Sequence, residues 1–392
     1  MVVSKIGKFN KAVEYLIKDK KYAKKAKRTD FGYGENPIWL ISERGSDALD
    51  NGYHLYKYLV EHPELGITPI YVIDASSDKD LRKIIILHGE VVLKGTAKHY
   101  MLMHQAEALI STHTYGYTPD KDIFYRLAQK GLFKPEGVNV FMSHGVTDKD
   151  AKWLYRENYK PDMFITSCPS EYNLIRQRFK QPKNVVVKTG MPRYDALYHA
   201  TKPLKQILVM PTWRLWLNNL SDDEFKQSEY YTRWSNFLSY EALSEVLKKQ
   251  GYKLVFYLHP ELKKRKHLFN FKGVTVRDDE IQKLMIESEI LVTDYSSVFY
   301  DMAYMNRKIV FYQFDKERYT NEHYDGVIAE YDKFGTTFGS MDDIAGVINK
   351  VIVQPNILDK KFIDECFFNH DDKNCQRTVE EIEKRVRQKK EN

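Results

Sequence analysis

The sequence predicts an α/β protein with two Rossmann-like domains, and three observations support this prediction. Short apolar segments alternate with helical ones from residue 36 to residue 195, which is the pattern of a doubly wound parallel sheet. The pattern stops near residue 190 and restarts at residue 206. A chain of 392 residues is also long enough for two domains with complete cores.

The first domain is placed at residues 35–200. Its predicted strands lie at residues 38–42, 69–73, 91–94, 108–111, 138–143, 163–167 and 185–189. Its predicted helices lie at residues 48–61, 97–105, 150–156 and 170–178. The segment Gly190-Met191-Pro192-Arg193-Tyr194-Asp195 interrupts this alternation, and a further proline precedes Lys205. The domain boundary is therefore set after this segment.

The second domain is placed at residues 201–355, and its clearest element is a βαβ unit. The branched apolar strand Ile290-Leu291-Val292-Thr293 runs into a helix from Val298 and then into a strand at 308–314. Other strands are predicted at residues 206–210, 253–258 and 274–276, and helices at 240–250, 280–288 and from 340 to 353. The aromatic-rich residues 213–237 are predicted to be a long loop, either functional or packed on the surface. Residues 356–392 are expected to form a helical tail that could cross back to the first domain.

The N-terminal segment 1–34 carries an excess of positive charge. Residues 1–30 hold ten Lys or Arg against three Asp or Glu, and the net charge of the whole chain is +7. Apolar residues recur between the lysines at three- and four-residue steps: Ile6, Phe9, Val13, Leu16 and Ile17. Such a basic amphipathic helix suits the headgroup layer of an anionic membrane, and a helix packed on its own domain is the alternative. Because the rest of the chain is balanced in charge, we expect no nucleic-acid partner.

Composition argues against several other classes of protein. Hydrophobic residues make up 43% and charged residues 29%, which is typical of a globular chain. We find no apolar run of the roughly 18 residues that a membrane span needs, and no signal-peptide core at the N-terminus. The cysteines Cys168, Cys366 and Cys375 make no disulfide framework, which fits the cytosol. Paired carboxylates arranged for a metal are not evident, so neither a metal nor a cofactor is expected.

Polar side chains follow three predicted strands at their carboxyl ends, where ligands bind in parallel sheets. The three segments are Ser143-His144-Gly145, His259-Pro260 and Thr293-Asp294-Tyr295-Ser296-Ser297. The last of these combines two hydroxyls with free backbone amides at the start of a helix, which suits a phosphate. A histidine can take a proton from a hydroxyl near neutral pH, and a cationic histidine or Arg214 can neutralise phosphate charge.

Each of these features also has a structural interpretation. Ser296 or Ser297 can act as a plain helix cap. A histidine at a strand end is often a structural hydrogen-bonding group, and the basic run Lys263-Lys264-Arg265-Lys266 is equally typical of a solvated face. The occurrence of two such histidines together with the serine turn favours chemistry over these alternatives.

Five motifs occur in an order that resembles the CDP-glycerol:poly(glycerophosphate) glycerophosphotransferase family, which includes teichoic acid primases and polymerases and related capsule transferases. The motifs are Ser143-His144-Gly145, Gly190-Met191-Pro192-Arg193, Pro211-Thr212-Trp213-Arg214, His259-Pro260 and Thr293-Asp294-Tyr295-Ser296-Ser297. The resemblance implies a GT-B fold, in which two Rossmann-like domains face each other across a cleft. It also implies transfer of glycerol phosphate or ribitol phosphate from a CDP-activated donor to a hydroxyl of a lipid-linked primer or growing polymer. CMP would be released, at the inner face of the cell membrane.

The resemblance further implies roles for individual residues. His144 would act as general base on the acceptor hydroxyl, and His259 would bind the donor phosphates, although these two roles could be exchanged. Arg214, Ser296 and Ser297 would hold the pyrophosphate. Thr293 and Asp294 are also counted with the donor phosphate-binding residues, and Asp294 would orient the turn. The other residues expected in the cleft are Gly145, Arg193 and Tyr295.

The sequence departs from the family pattern beside His144, where Met142-Ser143 replace an aromatic residue and Val146-Thr147-Asp148 replace a nearby proline. The acceptor is therefore left open, as is the choice between primase, polymerase and capsule transferase. The oligomeric state is also open, with a homo-oligomer as one alternative. The alternative enzyme is a GT-B glycosyltransferase that uses a nucleotide sugar for cell-envelope polysaccharide. The non-catalytic alternative is a membrane-bound scaffold that consumes no donor.

Overall fold

A computed structural model of the chain describes residues 2–45, 48, 50–77, 82, 85, 89–278, 281–323, 329–340, 344–355 and 358–391, with side chains from residue 10 onward. The chain divides into two compact units. Unit 1 contains residues 1–144, 152–196 and 371–392, and unit 2 contains residues 145–151 and 197–370. Within the described ranges, no helix is both long enough and apolar enough to span a bilayer.

Unit 1 is built on a seven-stranded parallel sheet in the order β3-β2-β1-β4-β5-β6-β7. Its strands are β1 (Ile38–Ser42), β2 (Thr68–Ile73), β3 (Glu90–Leu93), β4 (Ala108–Ser111), β5 (Val138–Phe141), β6 (Met163–Ile165) and β7 (Val186–Val187). Each predicted strand of this domain is present. The strands β1, β4 and β5 are almost wholly buried, which is why they stand out in the sequence as continuous apolar runs.

The helices of unit 1 agree less closely with the prediction. They are α1 (Val2–Ala26), α2 (Asn51–Glu61), α3 (Ala97–Gln105), α4 (Lys121–Gln129), α5 (Pro169–Asn173) with a π-helical turn over Leu174–Arg178, and α6 (Tyr194–Tyr198). A 3-10 turn lies at Pro63–Leu65. The predicted helix at 150–156 is wrong, because only the 3-10 turn Lys152–Leu154 forms there. Helix α4 was not predicted, although Asp120 caps it by accepting from the amides of Asp122 and Ile123.

Unit 2 is built on a six-stranded parallel sheet in the order β10-β9-β8-β11-β12-β13. Its strands are β8 (Leu204–Val209), β9 (Lys253–Tyr257), β10 (Val274–Arg277), β11 (Ser288–Thr293), β12 (Lys308–Tyr312) and β13 (Thr336–Phe338). Its helices are α7 (Asp222–Gln227), α8 (Glu229–Ser239), α9 (Glu241–Gln250), α10 (Ile281–Glu287), α11 (Val298–Tyr304), α12 (Lys316–Glu322), α13 (Ile344–Val353) and α14 (Lys360–Cys366). Its 3-10 turns are Leu215–Leu217, Pro260–Leu268 and Tyr331–Lys333. The predicted βαβ unit corresponds to β11, α11 and β12.

Two predictions for unit 2 concern its less regular parts. The aromatic-rich residues 213–237 do not form a long loop, because they contain α7 and α8. Phe225, Trp234 and Phe237 from these helices are fully buried in the core of unit 2, so the segment is a packed part of the fold. Glu280 and residues 341–343, where helices were predicted to begin, lie outside the described residues.

The C-terminal helix α15 (Asn374–Glu391) returns to unit 1, whereas residues 356–370 belong to unit 2. Its residues Val379, Ile382 and Val386 are buried in the core cluster of the first sheet. Gly190 lies against the start of this helix with φ = 79°, and an added Cβ atom would stand only 1.9 Å from the Asn374 Oδ1 atom. Glycine is therefore required at this position, for both the backbone conformation and the close approach.

Helix α1 packs on unit 1 through a face other than the predicted apolar one. The Tyr15 and Tyr22 rings contact Tyr100 of α3, at centroid distances of 5.8 and 5.3 Å, and the Asp19 carboxylate bonds to the His104 Nε2 atom at 3.0 Å. Val13 and Ile17, by contrast, are 38% and 63% exposed. Residues 13 and 15 of a helix point about 200° apart, so Val13 and Ile17 of the predicted apolar stripe face away from the packed side.

Candidate functional site

His144 lies at the carboxyl edge of the unit 1 sheet, just beyond β5. Ser143 precedes it with φ = 59°, a left-handed conformation that costs a non-glycine residue about 1–2 kcal/mol. The side-chain amide of the buried Asn51 stabilises this turn by donating to the Ser143 carbonyl at 2.9 Å. The turn leaves His144 exposed at the end of a buried strand.

Arg193 holds the backbone of His144. Its Nη1 atom donates to the His144 carbonyl at 2.9 Å and pairs with the Asp50 carboxylate, and its own backbone amide donates to the Asn51 Oδ1 atom at 3.2 Å. Only 6% of Arg193 is exposed, so the residue supports the turn from within the protein. Gly145, the next residue along the chain, is buried and belongs to unit 2.

A second histidine stands beside His144 and was missed in the sequence. The His113 ring stacks on the His144 ring at a centroid distance of 5.0 Å and an interplanar angle of 14°. Its Nδ1 atom is 3.0 Å from the Thr112 hydroxyl, and its backbone amide donates to the Ser111 hydroxyl at 3.1 Å. Burial, followed by the neighbouring imidazole of His144 and the positive charges of Arg44, Lys121 and Lys94, holds the pKa of His113 well below its ordinary value. His113 is therefore neutral near pH 7.

Arg214 forms the centre of the corresponding edge in unit 2. Its guanidinium, which is fully buried, pairs with Asp294 at 2.8 Å and with Asp315 through its Nε and Nη2 atoms at 2.8 and 3.0 Å. The rings of Tyr230, Tyr295 and Tyr319 lie around it, with centroids 4.9 to 5.3 Å from the guanidinium carbon. Burial lowers the pKa of Arg214, but the two carboxylates outweigh burial and raise the pKa above its ordinary value.

Thr293, Asp294 and Tyr295 are fully buried and fix the turn after β11. The Thr293 hydroxyl donates to the Met210 carbonyl at 2.6 Å. The Asp294 Oδ1 atom accepts from the amides of Thr212 and Tyr295 at 2.8 and 2.6 Å, so this carboxylate joins the ends of β8 and β11. The Tyr295 hydroxyl donates to Asp315 at 3.2 Å. The polar atoms of these three side chains therefore bond to other groups of the protein and hold the turn in place.

Ser296 and Ser297 follow this fixed turn and are half-buried. Ser297 stands at the N-cap position of α11, but its side chain makes no capping bond to the described amides of that helix. The expectation that a serine hydroxyl caps this helix is therefore not met at Ser297.

His259 lies at the end of β9 beside two further aromatic residues. Its Nδ1 atom accepts from the Glu261 amide at 3.3 Å, which places the proton of the neutral ring on Nε2. The Trp213 ring is nearly parallel to it, with a centroid distance of 6.2 Å. His323 contacts Trp213 at 5.0 Å, and its Nδ1 atom accepts from the Leu215 amide at 2.9 Å. Burial, then the charges of Arg214 and Lys149 and the nearby imidazole of His259, lower the pKa of His323 to about 4.

The structure thus groups the predicted residues into two sets. Unit 1 brings together His144 and Arg193, and unit 2 brings together Arg214, Thr293, Asp294, Tyr295 and the start of α11. In the described part of the chain, no three His, Cys, Asp or Glu side chains cluster so as to hold a metal ion. Sequence analysis missed His113 and His323; for His113 the signal was present, since Thr112-His113 follows a buried strand just as Ser143-His144 does.

Each unit of this chain has a parallel sheet with polar side chains at its carboxyl edge. This arrangement is typical of doubly wound α/β proteins, which bind ligands at that edge. Residues 23–384 match the family described as CDP-Glycerol:Poly(glycerophosphate) glycerophosphotransferase, and the chain belongs to this family.

Similar proteins agree with this assignment. The minor teichoic acid biosynthesis protein GgaB of Bacillus subtilis is 30% identical over 366 residues, which are 87% of this chain and 39% of GgaB. The chain thus spans about two fifths of the length of that relative. A teichoic acid glycerol-phosphate transferase of Staphylococcus aureus is 28% identical over 74% of this chain and 76% of its own length. A solved structure of the wall teichoic acid polymerase TagF aligns over 100% of this chain and 99% of its own, with a TM-score of 0.67 and 17% identity, which shows the shared GT-B-like fold.

Proposed function

We propose that this chain transfers glycerol phosphate or ribitol phosphate from its CDP-activated form to an acceptor hydroxyl, in teichoic acid or capsule biosynthesis. The observation that carries the proposal is His144, which is exposed at the end of β5 while its backbone is fixed by the buried Arg193 and Asn51. Within a family of glycerophosphotransferases, an exposed imidazole on a rigid support suits the base of the reaction.

The proposed step is a single displacement at phosphorus. The acceptor hydroxyl loses its proton to the Nε2 or Nδ1 atom of His144 and bonds to the phosphorus that carries the polyol. The bond between that phosphorus and the bridging oxygen breaks, and CMP leaves with the bridging oxygen. The product is a phosphodiester, and no further reactant is needed. Charge positioning supplies most of the catalysis in such transfers.

The tautomer of His259 supports its assignment to the donor. Because its Nδ1 atom accepts the Glu261 amide, the neutral ring presents an Nε2 proton that can be donated to a phosphate oxygen. A ring in this form is a hydrogen-bond donor toward the substrate, so His144 is the better candidate for the base. The hydroxyls of Ser296 and Ser297 would bind the pyrophosphate beside it.

Arg214 contributes to the donor site in a different way from the one that the resemblance implies. Its guanidinium is enclosed by Asp294, Asp315 and three tyrosine rings, so it does not present a free charge to a phosphate. We propose that Arg214 and Asp294 hold the turn that presents Ser296 and Ser297. Their role is then positioning, with direct phosphate contact left to the hydroxyls and His259.

A donor screen tests this proposal. The protein is incubated with CDP-glycerol, CDP-ribitol and a panel of nucleotide sugars, each with an acceptor, and the free nucleotide is measured. CMP from a CDP-polyol is expected, whereas nucleotide from a sugar donor alone would identify the glycosyltransferase alternative. His144→Ala should lose 10²- to 10⁴-fold in rate. A His144→Ala variant with the activity of the wild type would contradict the assignment of the base.

We further propose that the protein is peripheral on the cytoplasmic face of the membrane and binds anionic lipid through α1. The outward stripe of this helix contains the exposed Val13 and Ile17, and the exposed Lys20 and Lys24 continue it toward the C-terminal end. Such an arrangement suits the headgroup layer. Flotation with vesicles that contain phosphatidylglycerol should recover the protein at low salt. Val13→Ser with Ile17→Ser should abolish recovery, whereas Val353→Ser, at an exposed valine of unit 2, should not.

A further inference from the structure

The His113 ring lies against one face of the imidazole of His144, the proposed base. The two rings are nearly parallel, with an interplanar angle of 14° and a centroid distance of 5.0 Å, which is the geometry of an offset stack. His144 is exposed, whereas His113 is half-buried. The proposed base therefore has one face covered by a ring that lies deeper in unit 1.

The ends of β1 and β4 fix the place of His113. Its backbone amide donates to the Ser111 hydroxyl at 3.1 Å, and that hydroxyl also accepts from the Ser42 hydroxyl of β1 at 3.2 Å. Its ring Nδ1 atom is 3.0 Å from the Thr112 hydroxyl. Ser42, Ser111 and Thr112 are all buried. Both the backbone and the ring of His113 are thus bonded to groups that cannot easily move.

The loop that continues from His113 has an unusual backbone. Tyr115 is buried and has φ = 53°, a left-handed conformation that residues with a side chain rarely adopt. At Gly116 an added Cβ atom would stand 2.8 Å from the Glu43 carbonyl, so only glycine allows this close approach to the end of β1. The Gly116 amide donates to the His113 carbonyl at 3.1 Å. Such conformations persist where the surroundings impose them, and they cluster at functional sites.

The charge of His113 also suits a partner of the base. His144 becomes a cation when it takes the proton of the acceptor, and a second cation stacked on it would oppose that step. Burial is the main reason why the pKa of His113 lies well below its ordinary value, and nearby positive charges add to the effect. The face of a neutral aromatic ring attracts a cation. The stack is therefore compatible with both forms of the base.

We propose that His113 is a positioning residue, whose ring fixes the plane of the His144 imidazole so that the reacting nitrogen faces the acceptor hydroxyl. This inference rests on the proposed function, because His113 acts through the proposed base. An exposed side chain can occupy several rotamers, and a misplacement of about 1 Å can cost about 100-fold in rate. His113 takes no proton from the substrate in this account.

Two substitutions separate the ring of His113 from its polar atom. His113→Phe keeps a flat ring and removes Nδ1, whereas His113→Asn keeps a polar group near Nδ1 and removes the ring. CMP release is measured with whichever CDP-polyol the wild type uses. His113→Phe should stay within about threefold of the wild type in kcat, and His113→Asn should lose at least about tenfold in kcat at an unchanged KM for the donor. The opposite ranking, equal losses in both folded variants, or no loss in either would overturn the proposal.

His62→Asn is the matched control. The His62 ring stacks on the Tyr58 ring at a centroid distance of 4.1 Å, and its Nδ1 atom is 2.8 Å from the Tyr58 carbonyl. This substitution removes a stacked and hydrogen-bonded histidine of unit 1 at the end of α2, so kcat should not change. A loss equal to that of His113→Asn would show that removal of any stacked histidine impairs the protein, and would overturn the proposal.

The motion of the His144 ring tests the proposal without turnover. Carbon-13 relaxation is measured on protein labelled in histidine, and the His144 signal is identified by its absence from His144→Ala. The ring should be rigid in the wild type and in His113→Phe, and its order parameter should fall below about 0.6 in His113→Asn. A His144 ring that stays rigid in His113→Asn would overturn the proposal. If no CDP-polyol yields CMP, the proposed function is wrong, and relaxation still decides whether His113 holds His144; it also decides if His113→Phe does not fold.

Discussion

The cationic side chains at the carboxyl edges of the two sheets differ in burial and in their charged partners. In unit 2, Arg214 is fully buried and each of its charged partners, Asp294 and Asp315, is within 3.0 Å. In unit 1, the charges of Arg44, Lys94 and Lys121 lower the pKa of His113, and only Lys94 is itself influenced by carboxylates, those of Asp74, Asp120 and Asp122, among the shifts resolved for described residues. A compensated buried cation stabilises a turn of the protein itself, whereas the cations of the unit 1 edge act on a histidine that stacks on the proposed base.

The largest effect expected from this contrast is on stability in unit 2. Arg214→Met leaves two buried carboxylates without their cation, and breaking a buried pair in this way costs about 3–5 kcal/mol. Urea unfolding measures the free energy. The matched control is Arg233→Met, which removes an exposed pair with Glu229 at 3.4 Å and should cost less than about 1 kcal/mol.

Replacing a cationic side chain of unit 1 by methionine should destabilise the protein much less. Lys94→Met removes a cation whose pKa is lowered by burial and by the charge of Lys121, and which has no salt bridge among the described residues. The free energy of unfolding of this variant should therefore stay within about 0.5 kcal/mol of the wild type. If Lys94→Met destabilises the protein as much as Arg214→Met does, the contrast between the two edges is wrong.

Much of this contrast could not be read from the sequence. The strands were predictable because parallel strands buried on both faces appear as apolar runs, and the His-Gly, His-Pro and Thr-Asp-Tyr-Ser-Ser segments lie directly after such runs. The burial of Arg214 was not predictable, because its partner Asp315 is 101 residues away in the chain. An arginine in a phosphate-type motif was therefore expected to contact ligand.

Two other differences between the predicted and the observed structure also arise from tertiary contacts. The aromatic residues of 213–237 suggested a long loop, but Phe225 and Trp234 pack into the core and the segment folds as helices. An apolar stripe was predicted on α1, but its members Val13 and Ile17 are exposed, and the face that packs on the rest of unit 1 uses Tyr15, Asp19 and Ala26. These three residues give no clear apolar pattern. In each case the deciding partner is remote in sequence.

A further prediction concerns His99, a second histidine of unit 1 that burial keeps neutral. His99 is fully buried, with its Nδ1 atom accepting from the Gly95 amide and its Nε2 atom donating to the Tyr117 carbonyl. Burial lowers its pKa from 6.5 to about 4. Below pH 6.5 the unfolded chain therefore binds a proton at His99 that the folded chain excludes. The contribution of neutral His99 to the free energy of unfolding is fully present above pH 6.5 and is lost as the pH falls toward 4. The loss amounts to about 3 kcal/mol.

Urea unfolding between pH 7 and pH 4 measures this contribution. His99→Gln should be less stable than the wild type at pH 7 and should lose that part of the pH dependence. His62→Gln serves as the control, since that side chain is only half-buried. An unchanged pH dependence in His99→Gln would show that His99 is not held neutral.

An equally small effect on stability is expected at the outward stripe of α1. Val13→Ser with Ile17→Ser replaces exposed side chains, so the free energy of unfolding should change by less than about 0.5 kcal/mol while vesicle binding is lost. A large loss of stability without loss of vesicle binding would show that this stripe packs on protein.

The assignment of the base to unit 1 and of the donor phosphates to unit 2 is tested most directly by the pH dependence of kcat/KM for CMP release. His259→Gln should lower the rate at every pH and keep the fall on the acid side where the wild type has it, because that fall reports the protonation of His144. If the acid-side fall disappears when His259 is replaced, the base lies in unit 2 and the account is contradicted.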